Sequence, residues 1–183
     1  PKTVLGDIRA QVAATIVGER EYRRLAARHG TEMLRQYTNA ILDYSEKMAR
    51  AEIGDLPDGT YEFADYIDGD SIESGPVTVQ VAVTVQWDRI KVDCAGSSRQ
   101  VKAGINSVLT FTKSATYGAI RMVIDPDIPN SAGCYRPIEV IAPEGSVVNP
   151  RLPGAVGARG VTGYRVVDAV LGALALAVPD RIP

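Results

Sequence analysis

The chain has 183 residues, 45% apolar and 23% charged, which argues against disorder and for one ordinary domain or two small ones. Twenty basic residues against 22 acidic ones leave a formal charge of -2, which argues against a sequence-independent nucleic-acid binder built on clustered Lys and Arg. A single histidine, His29, and two cysteines, Cys94 and Cys134, with no CxxC pair exclude the usual zinc clusters within the chain.

Residues 5–29 read as a helix, with Ile8, Val12 and Ile16 spaced by four. His29-Gly30 is its stop, because glycine accepts the left-handed conformation after a helix end. Thr31 then caps a second helix, Glu32 to about Ile53, with the stripe Met33, Tyr37, Ile41, Tyr44 and Met48. One connecting residue predicts an antiparallel hairpin or a sharp bend.

Pro57-Asp58-Gly59 marks a turn, after which the texture changes from period four to period two. Tyr61 and Phe63 begin a strand, and Asp68-Gly69-Asp70 and Ser74-Gly75-Pro76 bracket a polar loop. Val77, Val79, Val81, Val83 and Val85 alternate with polar or small residues, a half-buried strand. Trp87-Asp88-Arg89 turns the chain into Ile90, Val92 and Cys94, a hairpin. A helix is expected from about Thr112 to Asp125, stopped by Pro126. Pro129 to Gly133 reads as loop, Ile138 to Ile141 as a strand, and Val147-Val148 as a brief pairing segment. The passage Pro153 to Gly163 leads into a last helix with the stripe Tyr164, Val167, Leu171, Leu174 and Val178. The order predicts an α+β fold: an N-terminal helix pair, antiparallel β-hairpins, then helix-strand-helix. Residues 1–56 form a helical segment. Residues 57–183 form an α+β segment of the same domain or of a larger subunit.

Both ends read as cuts through a longer polypeptide, since helix-like patterns begin and finish almost at them. No secretory signal pattern is visible, and the longest apolar stretch, Val166 to Pro179, is interrupted by Asp168 and too short to span a bilayer. With two cysteines in a chain this long, a cytoplasmic location is expected.

Four places invite chemistry. Gly96-Ser97-Ser98 follows a strand, so it either offers N–H and hydroxyl groups to an anion or is a solvated turn. Cys134, beside Gly133 in a loop, is the more accessible thiol, and Cys94 a half-buried strand residue. Asp65, Asp68 and Asp70 lack the spacing of an EF-hand and read as solvated. Arg136, Glu139, Arg159 and Arg165 sit beside Gly- or Pro-rich turns, where a ligand can approach the backbone closely. Arg159, inside Gly154-Ala155-Val156-Gly157-Ala158-Arg159-Gly160, fits either bidentate binding of a carboxylate or phosphate, or a structural ion pair.

Three stretches resemble one family: Leu5-Gly6-Asp7-Ile8-Arg9-Ala10-Gln11; Gly96-Ser97-Ser98-Arg99-Gln100-Val101 continued by Gly104-Ile105-Asn106; and Gly133-Cys134-Tyr135-Arg136-Pro137-Ile138-Glu139-Val140-Ile141-Ala142-Pro143-Glu144-Gly145-Ser146 with Asn149-Pro150. They are similar to the hydantoinase B/oxoprolinase family, which also includes large subunits of acetone and acetophenone carboxylases. The chain resembles the middle portion of the longer B-type polypeptide. The resemblance implies part of the B-type subunit of an ATP-dependent hydantoinase/oxoprolinase-type enzyme that opens cyclic amides or imides by hydrolysis. It implies a partner A-type subunit that holds ATP and Mg, and a divalent metal held, if at all, outside this chain. By itself the chain is then inactive and binds no cofactor. Gly96, Ser97, Ser98, Asn106, Arg136 and Arg159 become the substrate- or partner-facing positions, with no catalytic residue assigned. Two alternatives stay open: part of a ketone carboxylase subunit, and a non-catalytic scaffold or subunit-interface domain.

Overall fold

The computed structural model describes residues 2–70, 72 and 75–183; the turn expected at Ser74 lies outside them. The chain divides into two units, Pro1–Asp43 and Tyr44–Pro183.

The first unit contains helix α1, Lys2–His29, and the opening turns of α2, Thr31–Gly54. Gly30 between them takes φ 81°, a region where a Cβ would be strained. Its N–H donates to Ala26 O at 2.8 Å, and Leu34 N–H donates to Gly30 O at 3.2 Å. Of the two expected geometries this is the sharp bend: α1 has no buried residue, so none of its faces is packed in a hairpin. Its apolar stripe is where periodicity placed it, but Leu5, Ile8, Val12, Ile16 and Leu25 are all exposed. Charged pairs along the helices, such as Arg23–Glu19 at 2.7 Å, contribute only a few tenths of a kcal/mol each, roughly.

The second unit owns the core. The last turns of α2 enter it through Ser45, Ala49 and Ile53. The expected stripe lies beside this face: Tyr44 is exposed and Met48 only partly buried. Small side chains at 45 and 49 permit closer approach than Tyr44 would, and burial follows close approach rather than hydrophobicity alone.

Four strands follow: β1 Gly59–Ile67, β2 Val77–Gln86, β3 Arg89–Asp93 and β4 Ile138–Ile141, in that spatial order. β1, β2 and β3 pair antiparallel, and β4 lies parallel to β3. The sheet is therefore mixed within the α+β class. A parallel return requires a long crossover, and residues 94–137 supply it, including α3, Leu109–Arg121. Val77, Val79, Val81, Val83 and Val85 are all buried on one face of β2, with Val85 opposite Ile90 and Val83 opposite Val92. Thr78, Gln80, Ala82 and Thr84 face the other way, half-buried. Trp87 takes φ 58° in the hairpin turn, its N–H donating to Asp58 Oδ1 at 2.8 Å.

Helix α4, Gly160–Ala175, packs on β1, β2 and α3. It buries Val166, Ala169, Val170, Ala173 and Leu174, whereas Tyr164 from the expected stripe is 72% exposed. The helix is apolar nearly all round, so periodicity does not set its phase. Close approach does: a Cβ on Gly172 would come within 2.7 Å of the Phe63 ring. Helix α3 begins at Leu109, earlier than expected, and ends at Arg121. There Val123 N–H donates to Ile120 O, a tightened last turn that carries Val123 and Ile124 into the core. Val147 and Val148 are buried too, with Val147 N–H donating to Ser98 O at 2.9 Å and its carbonyl accepting from Ser107 N–H at 2.7 Å. No described helix is long and apolar enough to cross a membrane.

Candidate functional site

Where β3 leaves the sheet, the Gly96-Ser97-Ser98 loop takes its place beside β2. Ser97 Oγ accepts from Gln80 N–H and donates to Gln80 O, both at 3.1 Å. Ser98 Oγ accepts from Thr78 N–H at 2.9 Å, while Ser98 N–H donates to Thr78 O at 2.9 Å. Both hydroxyls complete the strand ladder: Ser97 uses its oxygen and its proton there, and Ser98 its oxygen. A Cβ on Gly96 would lie 2.5 Å from the end of the Gln80 side chain, which would have to move aside. Ser97 also borders a cleft of about 470 Å³ with Arg99, Glu144, Ser146 and Arg151. Arg151 pairs with Glu144 at 3.2 Å.

Asn106, expected to face a substrate or partner, is fully buried and turned inward. Its Oδ1 accepts from Val101 N–H at 2.9 Å. Its Nδ2 donates to Val101 O, Ala103 O and Ala155 O at 2.8, 3.0 and 2.9 Å. The sequence shows only an asparagine in a polar loop; the loop closes around it because its amide satisfies several backbone groups at once. Ala158 N–H donates to Gly104 O at 2.8 Å, and Thr162 Oγ1 to Ile105 O. Asn106 and its neighbours therefore clamp the passage that carries Arg159.

Arg136 stands at the opening end of β4, and Ser97 beyond the closing end of its parallel neighbour β3. Arg136 Nη1 donates to Glu46 Oε2 at 2.9 Å, and Glu46 also receives Arg50. Arg50 reaches Asp88 at 3.1 Å. Arg136, with Arg50 beside it, holds the Glu46 carboxyl below the usual carboxylate range. Arg136 also borders a cleft of about 610 Å³ with Arg89, Lys91, Lys113, Tyr117 and Glu139. Arg165 bonds Asp65 at 2.9 Å and Asp168 at 2.8 Å, joining α4 to β1 and accounting for Asp65 as an ion-pair partner rather than a solvated loop residue.

Arg159 makes no ion pair with a described carboxylate. Its guanidinium carbon lies 5.6 Å from the centre of the Phe111 ring, and Nη1 donates to Val156 O at 3.4 Å. The structural ion pair considered for it is therefore not formed, and most of its five donors are available.

Neither thiol is accessible. Cys134 is buried in a 3-10 turn, Ala132–Tyr135, with Arg121 Nη1 3.8 Å from its sulfur. Cys94 is buried in the core, which pushes its thiol up to about 12. That corrects the expectation of an accessible Cys134: its loop coils into a turn held on α3, with Tyr135 stacked on Tyr117 at 4.5 Å. No cluster of three or more His, Cys, Asp or Glu that could hold a metal exists among the described residues.

Sequence reasoning missed Phe111 and Ser114, which line a hollow with Arg159, and Gly163, which lines the slot next to it. The available signal was Gly160 and Gly163, spaced by three in the first turn of the last helix, where they leave a smooth edge.

Comparison with known proteins agrees with this architecture. The family model described as hydantoinase B/oxoprolinase matches residues 1–183. The B-type chain of a putative D-/L-hydantoinase from a Pseudomonas species is 34% identical, over 100% of this chain and 33% of its own length. The crystal structure of the ATP-dependent caprolactamase from Pseudomonas jessenii superposes with a TM-score of 0.83 at 30% identity, over 96% of this chain and 31% of that one. An acetone carboxylase structure shares the fold, with a TM-score of 0.74 at 16% identity, over 87% of this chain and 23% of that one. The chain thus spans about a third of the length of the hydantoinase relative. With the match running from the first residue to the last, this chain belongs to the hydantoinase B/oxoprolinase family.

Proposed function

We propose that the chain is part of the B-type subunit of an ATP-dependent enzyme that opens cyclic amides or imides by hydrolysis, and that it is inactive alone. The observation that carries this reading is the full-length family match, joined to the likeness of the fold to a caprolactamase. In this reading ATP and Mg come with an A-type subunit, any divalent metal is held outside these residues, and the complex works in the cytoplasm. The remaining parts of the B-type polypeptide cover the apolar stripes that α1 and α2 leave exposed, in keeping with a relative three times as long.

Within this chain the loops at Gly96–Ser98, Arg136 and Arg159 face substrate or partners, and Asn106 positions the last of them. With the Ser97 hydroxyl fully engaged and the Ser98 oxygen held by Thr78 N–H, Arg159, most of whose donors are open, is the side chain best placed to meet a ligand directly. The test uses the complete complex with a lactam or hydantoin substrate. ATP-dependent turnover that falls in Arg159→Ala with assembly intact supports a site role. Unchanged turnover in Arg159→Ala, Ser97→Ala and Ser98→Ala shows instead a scaffold. Ring opening by the 183-residue chain without partners overturns the proposal, and turnover that requires bicarbonate and a ketone assigns carboxylation.

A further inference from the structure

A slot opens between the first turns of α3 and α4. Phe111, Ala115, Gly163, Tyr164 and Val167 line about 300 Å³ of it, and a neighbouring hollow of about 360 Å³ shares Phe111 and Ser114 and reaches Arg159. A Cβ at Gly163 would collide with the Phe111 ring, so the glycine is what lets the ring seat between the helices. The walls are braced from behind. Thr162 donates to Ile105 O, Thr116 to Thr112 O, and Thr112 to Val148 O. The slot is therefore formed before a ligand arrives.

Its chemistry has two parts. The walls are apolar and leave Phe111 and Tyr164 partly or largely open to water. The mouth carries a guanidinium with no carboxylate partner among the described residues. Such a site rewards a ligand with an apolar body and one anionic end, since the body removes water from the ring and the anion meets unused N–H donors.

We propose that this slot binds a small organic acid, its apolar body between α3 and α4 and its carboxylate on Arg159. The identity of the natural ligand rests on the ring-opening reading above. Hydrolysis adds the oxygen of water to the carbonyl carbon, breaks the carbon–nitrogen bond and sends a proton to the nitrogen. The new acid passes its remaining proton to the amine or to solvent. A neutral ring thereby becomes a carboxylate, and the slot holds that product.

The test is an NMR titration of the ¹⁵N-labelled 183-residue chain with phenylacetate and its neutral counterpart phenylacetamide. Phenylacetate is expected to shift the amides of Phe111, Ser114, Gly163 and Tyr164, with phenylacetamide weaker by roughly tenfold or more. Arg159→Gln is expected to weaken phenylacetate by a similar factor. Ser114→Leu, which fills the slot, is expected to abolish binding of both. Unshifted β2 amides in each variant show that the fold is kept. No shift with phenylacetate, equal binding of phenylacetamide, or full affinity in Arg159→Gln overturns the proposal. A complete complex that fails to open cyclic amides, while the chain still binds phenylacetate, removes the ring-opening reading and leaves the slot. A complex that opens them while these amides stay silent does the reverse.

Discussion

The two units carry similar helical periodicity and use it differently. In Pro1–Asp43 the apolar residues recur at the right spacing yet none of α1 is buried. In Tyr44–Pro183 the alternating valines of β2, the small face of α4 and the last turns of α2 close a core. Periodicity thus marks an apolar face, while burial depends on what packs against the helix.

The comparison breaks first in the core. Val81→Asp buries a carboxylate with no partner and should cost more than about 4 kcal/mol, unfolding the second unit as followed by circular dichroism. Asn106→Ala comes next. It strands Val101 N–H and three carbonyls and should cost about 2–3 kcal/mol in urea titration. Arg136→Met has a smaller, pH-dependent effect. Arg136 first, and Arg50 second, lower the Glu46 carboxyl, so the stability it contributes is present above the ordinary carboxylate value of about 4.3 and lost as pH falls through the folded one. Urea midpoints of wild type and Arg136→Met should differ at neutral pH and converge in acid. Smallest is Ile8→Asp in α1, which should leave the stability of the chain within about 0.5 kcal/mol while weakening its association with the rest of the subunit.

The elements of the fold were legible where local chemistry decides. The helix break at Gly30, the β2–β3 hairpin and β4 all follow from glycine, turn residues and alternation, though bend and helical hairpin were both open at Gly30. The phase of α4 was not legible, because apolar residues lie on most of its circumference, and the helix buries Val166, Ala169, Val170, Ala173 and Leu174 while leaving Tyr164 out. The parallel pairing of β4 depends on a crossover that no local pattern encodes. The candidate site was legible only in part. Arg159 stood out by its surroundings, but Ser97, Ser98 and Asn106 are loop residues whose hydrogen-bonding groups close onto backbone, which residue type alone does not reveal.

Hydrogen–deuterium exchange, read on the 183-residue chain and on the complete subunit, tests the central contrast most directly. Slow exchange is expected for β2 and α4 in both. Residues 2–43 should exchange fast in the chain alone and become protected in the complete subunit. Slow exchange of α1 amides in the isolated chain, or undiminished exchange of α1 in the complete subunit, would contradict it.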